Sequence, residues 1–279
     1  MLTILVINSK GGSGKTTLTT NLASYYASKK TRTTIIDYDP QGSSMQWLQA
    51  RPAQAQKING ANAAPSKGVA YLRSFNAWVP RDTEVLIIDA PAGVKGLLLQ
   101  ELVRKSNFIV IPVAPSPIDI HATAEFIKEL FQFGGARNTK AKIAVVANRV
   151  RNFSSPAYES LKHFLNSLNL PFLTSIRDTD NYLTAAEKGL GVFEMNEATT
   201  LVERSQLMPI VQWVDGQLPS KDESHIEEKT LLLEASRKVV SISQVYAEPR
   251  HPHGQGQIQE LSLSPEQIQI LFPAPKQIQ

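Results

Sequence analysis

Short apolar segments alternate along most of the chain with longer segments of helical periodicity. The apolar segments are rich in Ile and Val and do not alternate with polar residues, which is typical of strands buried on both faces of a parallel sheet. They predict strands over 2–7, 34–36, 85–88, 108–113 and 143–147, with helices over 15–28, 94–105, 118–133, 156–168, 179–188 and 198–214. This repetition predicts an α/β fold: a doubly wound, mostly parallel sheet with helices on both faces.

The remaining segments lack this alternation. Residues 49–80 are rich in Ala, Gln, Asn and Pro, and we expect a loose connection there with one short helix. Apolar residues at helical spacing predict an amphipathic helix over 222–246, after a turn at 216–220. From residue 247 onward the chain is rich in Pro and Gln, which predicts a disordered tail. The sequence thus divides into a main domain over 1–216, an additional helix within 217–246 and a tail over 247–279.

The composition is that of an ordinary globular chain and excludes several classes of site. The 279 residues carry a formal net charge of +4, which permits contacts with nucleic acid but does not by itself argue for them. With no cysteine in the chain, disulfides, thiol nucleophiles, Cys-held iron–sulfur clusters and Cys-based zinc sites are excluded. Apolar runs fall short of the roughly 18 residues of a membrane span, and the apolar N-terminal segment is too short for a signal peptide. We therefore expect a soluble, cytoplasmic protein.

The strongest chemical signal follows the first predicted strand and opens the first predicted helix. Residues 9–17 read Ser-Lys-Gly-Gly-Ser-Gly-Lys-Thr-Thr. Glycines let backbone amides converge on phosphate oxygens, and the helix N-terminus adds partial positive charge. In such a loop Lys15 reaches the β- and γ-phosphates, while the Thr16 hydroxyl holds Mg²⁺. The sequence therefore predicts a nucleotide phosphate site composed of Lys10, Gly11, Gly12, Ser13, Gly14, Lys15, Thr16 and Thr17.

This loop departs from the usual phosphate-loop pattern at its start. Ser9 stands where the first glycine is usual, and a second lysine, Lys10, follows it. Residues 10–16, KGGSGKT, resemble the deviant Walker A signature of the ParA/MinD-like ATPases, which are P-loop NTPases. Lys10 matches the signature lysine of that family. The resemblance implies that Lys10 reaches across a dimer interface to the nucleotide of the partner subunit; a solvated loop lysine is the alternative.

Three further segments resemble the same family in the same order along the chain. Residues 37–43, Asp-Tyr-Asp-Pro-Gln-Gly-Ser, resemble its first switch, and residues 86–93 resemble its Walker B strand and second switch. Residues 147–149, Ala-Asn-Arg, resemble the loop that contacts adenine. The resemblance is specific over residues 1–150 and continues more weakly to about residue 215.

The resemblance also implies roles for single residues in these segments. Asp37 and Asp89 would lie in the outer ligand shell of Mg²⁺, and Asp39 would orient the attacking water. Asn148 would recognise the edge of adenine. Because the strands of an open α/β sheet end at one crevice, these side chains can meet there. Turn or helix-cap roles for the aspartates, and a plain strand-end role for Asn148, remain alternatives.

Taken together, the resemblance implies an ATPase that requires ATP and Mg²⁺, with Lys10, Lys15 and Asp39 as its catalytic residues. Members of this family form an ATP-dependent homodimer whose hydrolysis is triggered by a partner, such as a ParB-like protein or another cargo adaptor. The expected function is to partition or position a cargo, such as a plasmid, a chromosomal locus or a protein organelle like the carboxysome. The sequence does not choose among these cargoes.

The surface to which such a dimer binds is a separate question. The segment 267–276 has a small apolar cluster but only one basic residue and prolines close by, which disfavours membrane anchoring. The absence of cysteine excludes the redox branches of the family. We therefore expect non-specific DNA binding and association with the nucleoid; a MinD-like membrane-associated ATPase and a metabolic ATP-dependent ligase are the alternatives. The candidate phosphate contacts are Arg177, Lys188, Arg204, Lys229, Arg237 and Lys238.

Overall fold

The fold is built around one parallel β-sheet, seen in a computed structural model that describes residues 1–64 and 79–216. In chain order its seven strands are β1 (Leu2–Val6), β2 (Thr33–Asp37), β3 (Ile58–Asn62), β4 (Val85–Asp89), β5 (Phe108–Val113), β6 (Lys142–Val150) and β7 (Phe172–Arg177). Across the sheet they lie in the order β3-β2-β4-β1-β5-β6-β7, and every neighbouring pair is parallel. The predicted doubly wound α/β fold is therefore confirmed.

Helices cover both faces of the sheet, which explains why its central strands are continuously apolar. Every residue of β2, β4 and β5 is buried. The described helices are α1 (Lys15–Ser28), α2 (Ser43–Ala50), α3 (Gly96–Lys105), α4 (Pro117–Gln132), α5 (Pro156–Ser167), α6 (Asp180–Glu187) and α7 (Glu197–Asp215). One apolar core joins the sheet to α3, α4 and α5, and a second core joins the opposite face to α1, α2, α6 and α7.

Three elements differ from the apolar pattern of the sequence. The connection expected over 49–80 contains the strand β3, and β7 also went unpredicted. Both are edge strands with partly exposed residues, so neither needs the continuous apolar run by which a central strand is recognised. The helix α2 begins immediately after Gly42, which has a left-handed backbone, and the apolar pattern does not predict it. The short helix expected within 49–80 falls partly on residues 65–78, which lie outside the described residues.

The strand order places a switch point at the centre of the sheet. The chain leaves β1 toward β2 on one side, and later returns to β5 on the other side of β1. In open α/β sheets, ligands bind beyond the carboxyl ends of the strands at such a point. The loops after β1, β2, β4 and β6 therefore share one crevice.

The segment 189–194, between α6 and α7, supports two of the helices that begin at this crevice. A backbone N–H of the segment donates to Asn21 of α1 (2.9 Å), and the indole N–H of Trp47 in α2 donates to one of its carbonyls (3.1 Å). Arg51, directly after α2, forms a buried ion pair with Glu194. The two helices thus rest on a common segment.

None of the helices within 1–64 and 79–216 is both long and apolar enough to cross a bilayer. The predicted additional helix within 217–246 and the predicted tail over 247–279 lie outside the described residues.

Candidate functional site

The loop between β1 and α1 has a backbone that glycine makes possible. Gly12 and Gly14 have positive φ angles of 79° and 88°, which side chains disfavour. A Cβ atom at Gly14 would lie 2.1 Å from Nδ2 of Asn148. Asn148 donates from that nitrogen to the carbonyl of Ser13 (2.8 Å), and Arg149 donates to the carbonyl of Gly12 (3.0 Å). The end of β6 therefore holds the loop in shape.

The helix α1 begins at this loop with its backbone donors free of side-chain caps. The side chain of its N-cap residue, Gly14, makes no capping hydrogen bond, and the first turn holds no acidic residue. Uncapped N–H groups and the helix dipole together attract anions. The hydroxyl of Ser13 is also buried without a hydrogen-bond partner among the described residues. The start of α1 thus has the properties of a phosphate site.

Lys15 brings a buried positive charge to the same place. Its Nζ donates to the backbone carbonyl of Lys10 (3.2 Å). Burial lowers the pKa of the Lys15 ammonium, and the negative charges of Asp89 and Asp39 oppose that shift. An anion bound at the loop would compensate this charge.

Asp89 lies at the end of β4 and faces the first turn of α1. Its Oδ2 accepts hydrogen bonds from the hydroxyls of Thr16 (2.8 Å) and Ser44. Its Oδ1 is buried and has no partner in the described part of the chain. Burial raises the pKa of the Asp89 carboxyl to about 6, although the two hydroxyls oppose the shift. This unpartnered oxygen beside a hydroxyl fits a divalent cation.

Asp37, at the end of β2, is paired in register with Asp89 on β4. Its carboxylate accepts from the backbone N–H groups of Asp39 (2.9 Å), Ser44 (3.0 Å) and Met45 (3.3 Å). Burial raises the pKa of Asp37, and these backbone hydrogen bonds oppose the shift. Asp37 therefore caps α2, the alternative role that the sequence left open, while lying next to Asp89.

Asp39 starts the turn between β2 and α2. Its Oδ1 accepts from the backbone N–H of Gln41 (2.9 Å), which fixes the carboxyl group at the crevice. Asp39, Pro40 and Gln41 all line a cavity that they share with the phosphate loop. The structure thus brings the three predicted aspartates to one site.

These elements enclose an open cavity of about 560 Å³, a volume in the range of small-molecule sites. One side consists of the phosphate loop and the turn after β2. The opposite side, here called the far wall, consists of Arg177, Asp178, Thr179, Tyr182 and Leu183, whereas Asn148 and Arg149 lie against the phosphate loop. The sequence resemblance places Asn148 and Arg149 in a loop near adenine, but it places no residue of the far wall in a nucleotide site. The far wall begins at Arg177, the last residue of β7, so recognising β7 as a strand would have indicated it.

The far wall is supported from behind by α7. Glu203 is buried and accepts hydrogen bonds from the hydroxyl of Thr179 (2.8 Å) and the amide of Asn181 (3.0 Å). Tyr182 packs beside them, with a hydroxyl that is buried and has no partner among residues 1–64 and 79–216. One buried carboxylate of α7 therefore anchors two residues that follow β7.

The side chain of Lys10 does not line the cavity of its own subunit. Its backbone N–H donates to Asn8 Oδ1 (3.2 Å), its carbonyl accepts from Lys15, and its side chain is not among the cavity-lining groups. No carboxylate of the described ranges forms an ion pair with the Lys10 ammonium.

The predicted DNA contacts fall in different surroundings. Arg177 is exposed at the cavity rim, and Lys188 is exposed just after α6. Arg204 instead donates to the carbonyls of Val192 (3.2 Å) and Met195 (2.8 Å), and its side chain is only 15% exposed. These hydrogen bonds make Arg204 a support of α7, so its guanidinium is not free to contact DNA. Lys229, Arg237 and Lys238 lie outside the described residues.

The arrangement suits the transfer of a phosphoryl group held at the start of α1. Within the described ranges no three His, Cys, Asp or Glu residues are grouped to enclose a metal, so a cation here would share phosphate oxygens, as Mg²⁺ commonly does. Mg²⁺ bound there would neutralise charge on the phosphates. Thr16 and Asp89 have the donor chemistry to hold it, Lys15 would pair with the phosphates, and Asp39 would orient a water.

Comparison with known proteins gives a consistent result. A model of the CobQ/CobB/MinD/ParA nucleotide binding domain matches residues 4–192. The maintenance of carboxysome distribution protein A of Halothiobacillus neapolitanus is 28% identical over 198 residues, which are 69% of this chain and 87% of that protein. Protein ParA of Rhizobium radiobacter is 26% identical over 57% of this chain and 68% of its own length. An ATP complex of a Cyanothece McdA variant has a similar fold, with a TM-score of 0.57, 18% identity, and coverage of 80% of this chain and 99% of that one.

Proposed function

The chain belongs to the CobQ/CobB/MinD/ParA nucleotide-binding family, whose ParA and MinD members are ATPases, and from this we propose that it is a cargo-positioning ATPase. It binds ATP with Mg²⁺, dimerises on ATP, and associates with DNA without sequence preference. A partner protein stimulates hydrolysis and so releases the dimer. The first relative described above is named for carboxysome distribution, which favours a protein organelle of that kind as the cargo.

The proposed roles follow the geometry of the site. Residues 10–17 bind the phosphates, and Thr16, Asp37 and Asp89 hold Mg²⁺ directly or through its waters. Lys15 and Asp39 act on the transferred phosphoryl group and the attacking water. Asn148 already donates its amide hydrogen to the phosphate loop, so its amide oxygen is left to accept from adenine.

The observation that carries the proposal is the position of Lys10. This lysine opens the phosphate loop, yet its side chain neither lines its own cavity nor pairs with a described carboxylate. A lysine held at this place by its backbone is available to a nucleotide in a second subunit. We therefore assign Lys10 to the cavity of the partner in an ATP-bound homodimer, a cytoplasmic assembly on the nucleoid.

The test is Lys10→Ala, compared with Lys162→Ala, which removes an exposed lysine of α5 away from the crevice. With ATP, we expect Lys10→Ala to weaken dimerisation roughly tenfold, about 1.4 kcal/mol, because a charge pair with phosphate is lost. DNA binding should fall with it, while the melting temperature of the nucleotide-free monomer stays at the parent value. Analytical ultracentrifugation and fluorescence anisotropy with random-sequence duplex measure the two effects.

The parent protein supplies the decisive control. Failure to bind duplex DNA at low salt with ATP would contradict the DNA-bound form of the proposal. Dimerisation of Lys10→Ala equal to that of the parent and of Lys162→Ala would remove Lys10 from the subunit interface.

A further inference from the structure

An aspartate at the rim of the cavity has three arginines close to it, two as ion-pair partners and one as its neighbour in the chain. Asp178 forms ion pairs with Arg149 (3.7 Å) and with Arg151 (3.1 Å). Arg177, its chain neighbour, lies over the ring of Phe153 at 5.2 Å. We call Arg149, Arg151 and Arg177 the rim arginines. Asp178 pairs with two of these guanidinium groups and the third lies over Phe153, so the cluster keeps a surplus of positive charge.

The rim arginines are accessible to a large ligand. The side chains of Arg149 and Arg151 are 47% and 82% exposed, and Arg177 is also exposed. Ion pairs at such exposure stabilise a fold by little, generally less than about 1 kcal/mol. Stability alone therefore does not explain why three arginines meet at one place on this surface.

The cluster is held on a rigid support. Arg149 has a φ of 58°, a left-handed conformation that costs a residue with a side chain roughly 1 kcal/mol. The backbone N–H of Asp178 donates to the carbonyl of Val150 (3.1 Å), which joins the two strand ends that carry the arginines. Strained residues of this kind concentrate at functional sites. The guanidinium groups are thus presented from the ends of two packed strands.

We propose that the rim arginines bind the phosphate backbone of duplex DNA. This inference rests on the proposed function and supplies the surface through which it acts. Planar guanidinium groups match phosphate oxygens, and an exposed surplus of positive charge suits non-specific binding. Arg151 lies outside the cavity lining, so its phosphate partner is not the nucleotide of its own subunit.

The same cluster connects DNA to the nucleotide. Arg149 and Arg177 also line the cavity, and Arg149 donates to the carbonyl of Gly12 in the phosphate loop. A shift of the loop on binding phosphates would therefore act directly on Arg149.

The test is Arg151→Gln in the full chain, with fluorescence anisotropy on random-sequence duplex at saturating ATP over a range of salt concentrations. Each lost phosphate contact reduces the slope of log K against log salt by about 0.9. We expect the Kd to rise about tenfold at 0.1 M salt and the slope to become shallower by about 1 for each Arg151 that contacts DNA. Arg151→Lys keeps the charge and should restore most of the affinity. The matched control is Arg32→Gln, which removes an arginine that is 57% exposed and paired with Asp82 and Glu84 at the amino end of the sheet.

The outcomes separate the two proposals. A parent protein that binds no DNA refutes the proposed function itself. If the parent binds DNA and Arg151→Gln binds it with the same Kd and salt slope, the assignment of DNA binding to the rim arginines is refuted and the proposed function stands. If Arg151→Gln loses DNA only because ATP no longer drives its dimerisation in ultracentrifugation, the arginine is a subunit contact and the inference is overturned as well.

Discussion

The two sides of the cavity are built on different principles. On the phosphate side, polar groups are buried and held by one another: Asp89 accepts from two hydroxyls, Asp37 caps α2, and Asn148 holds the loop. On the far wall, a single buried carboxylate, Glu203, anchors the loop after β7, while Leu183 is 64% exposed. The phosphate side contains buried charge without complete compensation, whereas the charged groups of the far wall, on Arg177 and Asp178, are at least partly exposed to solvent.

This difference indicates what each side requires of the sequence. Phosphate chemistry needs amides, a lysine and carboxylates in one arrangement, so a short motif can specify it. A wall that contacts the rest of a nucleotide can be made from several residue types. Substitutions should therefore change binding sharply on the phosphate side and stability or affinity only modestly on the far wall.

The largest effect is expected for Gly14→Ala. Its Cβ would lie 2.1 Å from Asn148 Nδ2, at a φ of 88°, so either the Asn148 amide must give up its hydrogen bond to Ser13 or the loop must shift. We expect ATP affinity, measured by isothermal titration calorimetry, to fall roughly a hundredfold, about 2.7 kcal/mol. The control is Gly135→Ala, which has a φ of 78° but no atom within 4 Å of the added Cβ. It should lose only about 1 kcal/mol of stability and bind ATP as the parent does; unchanged affinity in Gly14→Ala would show that the close approach is unimportant.

The second prediction is a gain in the stability of Asp89→Asn without nucleotide, and it is smaller than the loss of ATP affinity expected for Gly14→Ala. The folded state holds the pKa of Asp89 at about 6, above its ordinary value of 3.8, so the ionised carboxylate destabilises the fold above pH 6. The amide has no such charge, and we expect it to raise the free energy of unfolding by about 2 kcal/mol at pH 7.5.

The pH dependence distinguishes this cause from improved packing. The gain of Asp89→Asn over the parent should be largest above pH 6 and shrink as the pH falls, reaching its minimum only below the ordinary value of 3.8, where the parent carboxyl is protonated in both states. Urea denaturation at several pH values measures it. A gain that does not vary with pH would mean that the buried charge is not responsible.

The smallest effect is expected on the far wall, for Tyr182→Phe. The Tyr182 hydroxyl is buried and has no partner among the described residues, so its removal breaks no hydrogen bond seen there. We expect the free energy of unfolding to stay constant or rise by about 1 kcal/mol, because a buried polar group without a partner is costly. Thermal denaturation of the nucleotide-free protein measures this change. A loss above about 1 kcal/mol would show that the hydroxyl is engaged and that the far wall resembles the phosphate side after all.

The same contrast separates what could be predicted from the sequence from what could not. The loop over 10–17 is contiguous, so its residues and the helix that follows could be located directly. Asp37 and Asp89 meet because parallel strands end at one edge, a rule that needs no knowledge of side-chain packing. The hydrogen bond from Ser44 to Asp89 could not be located in this way, because it depends on where α2 begins. That start is stabilised by Asp37 and not by a local capping side chain.

The far wall could not be predicted for a related reason. It follows β7, an edge strand with partly exposed residues and no continuous apolar run. The role of Arg177 at the rim depends on the neighbouring ends of β6 and β7, which lie far apart in sequence. Arg204 looked like a free surface charge in the sequence, whereas the structure uses its guanidinium to hold backbone carbonyls beside α7.

The segment 189–194 has a consequence for local unfolding. Asn21 of α1 and Trp47 of α2 both bond to it, and Arg51 joins it through a buried ion pair. If this segment opens, both helices lose partners at the same moment, and if either helix opens, the segment loses part of its own support. The segment and the two helices therefore form one cooperative unit. The amide protons of the segment exchange with solvent at a rate that depends partly on what is bound at the other end of α1 and α2.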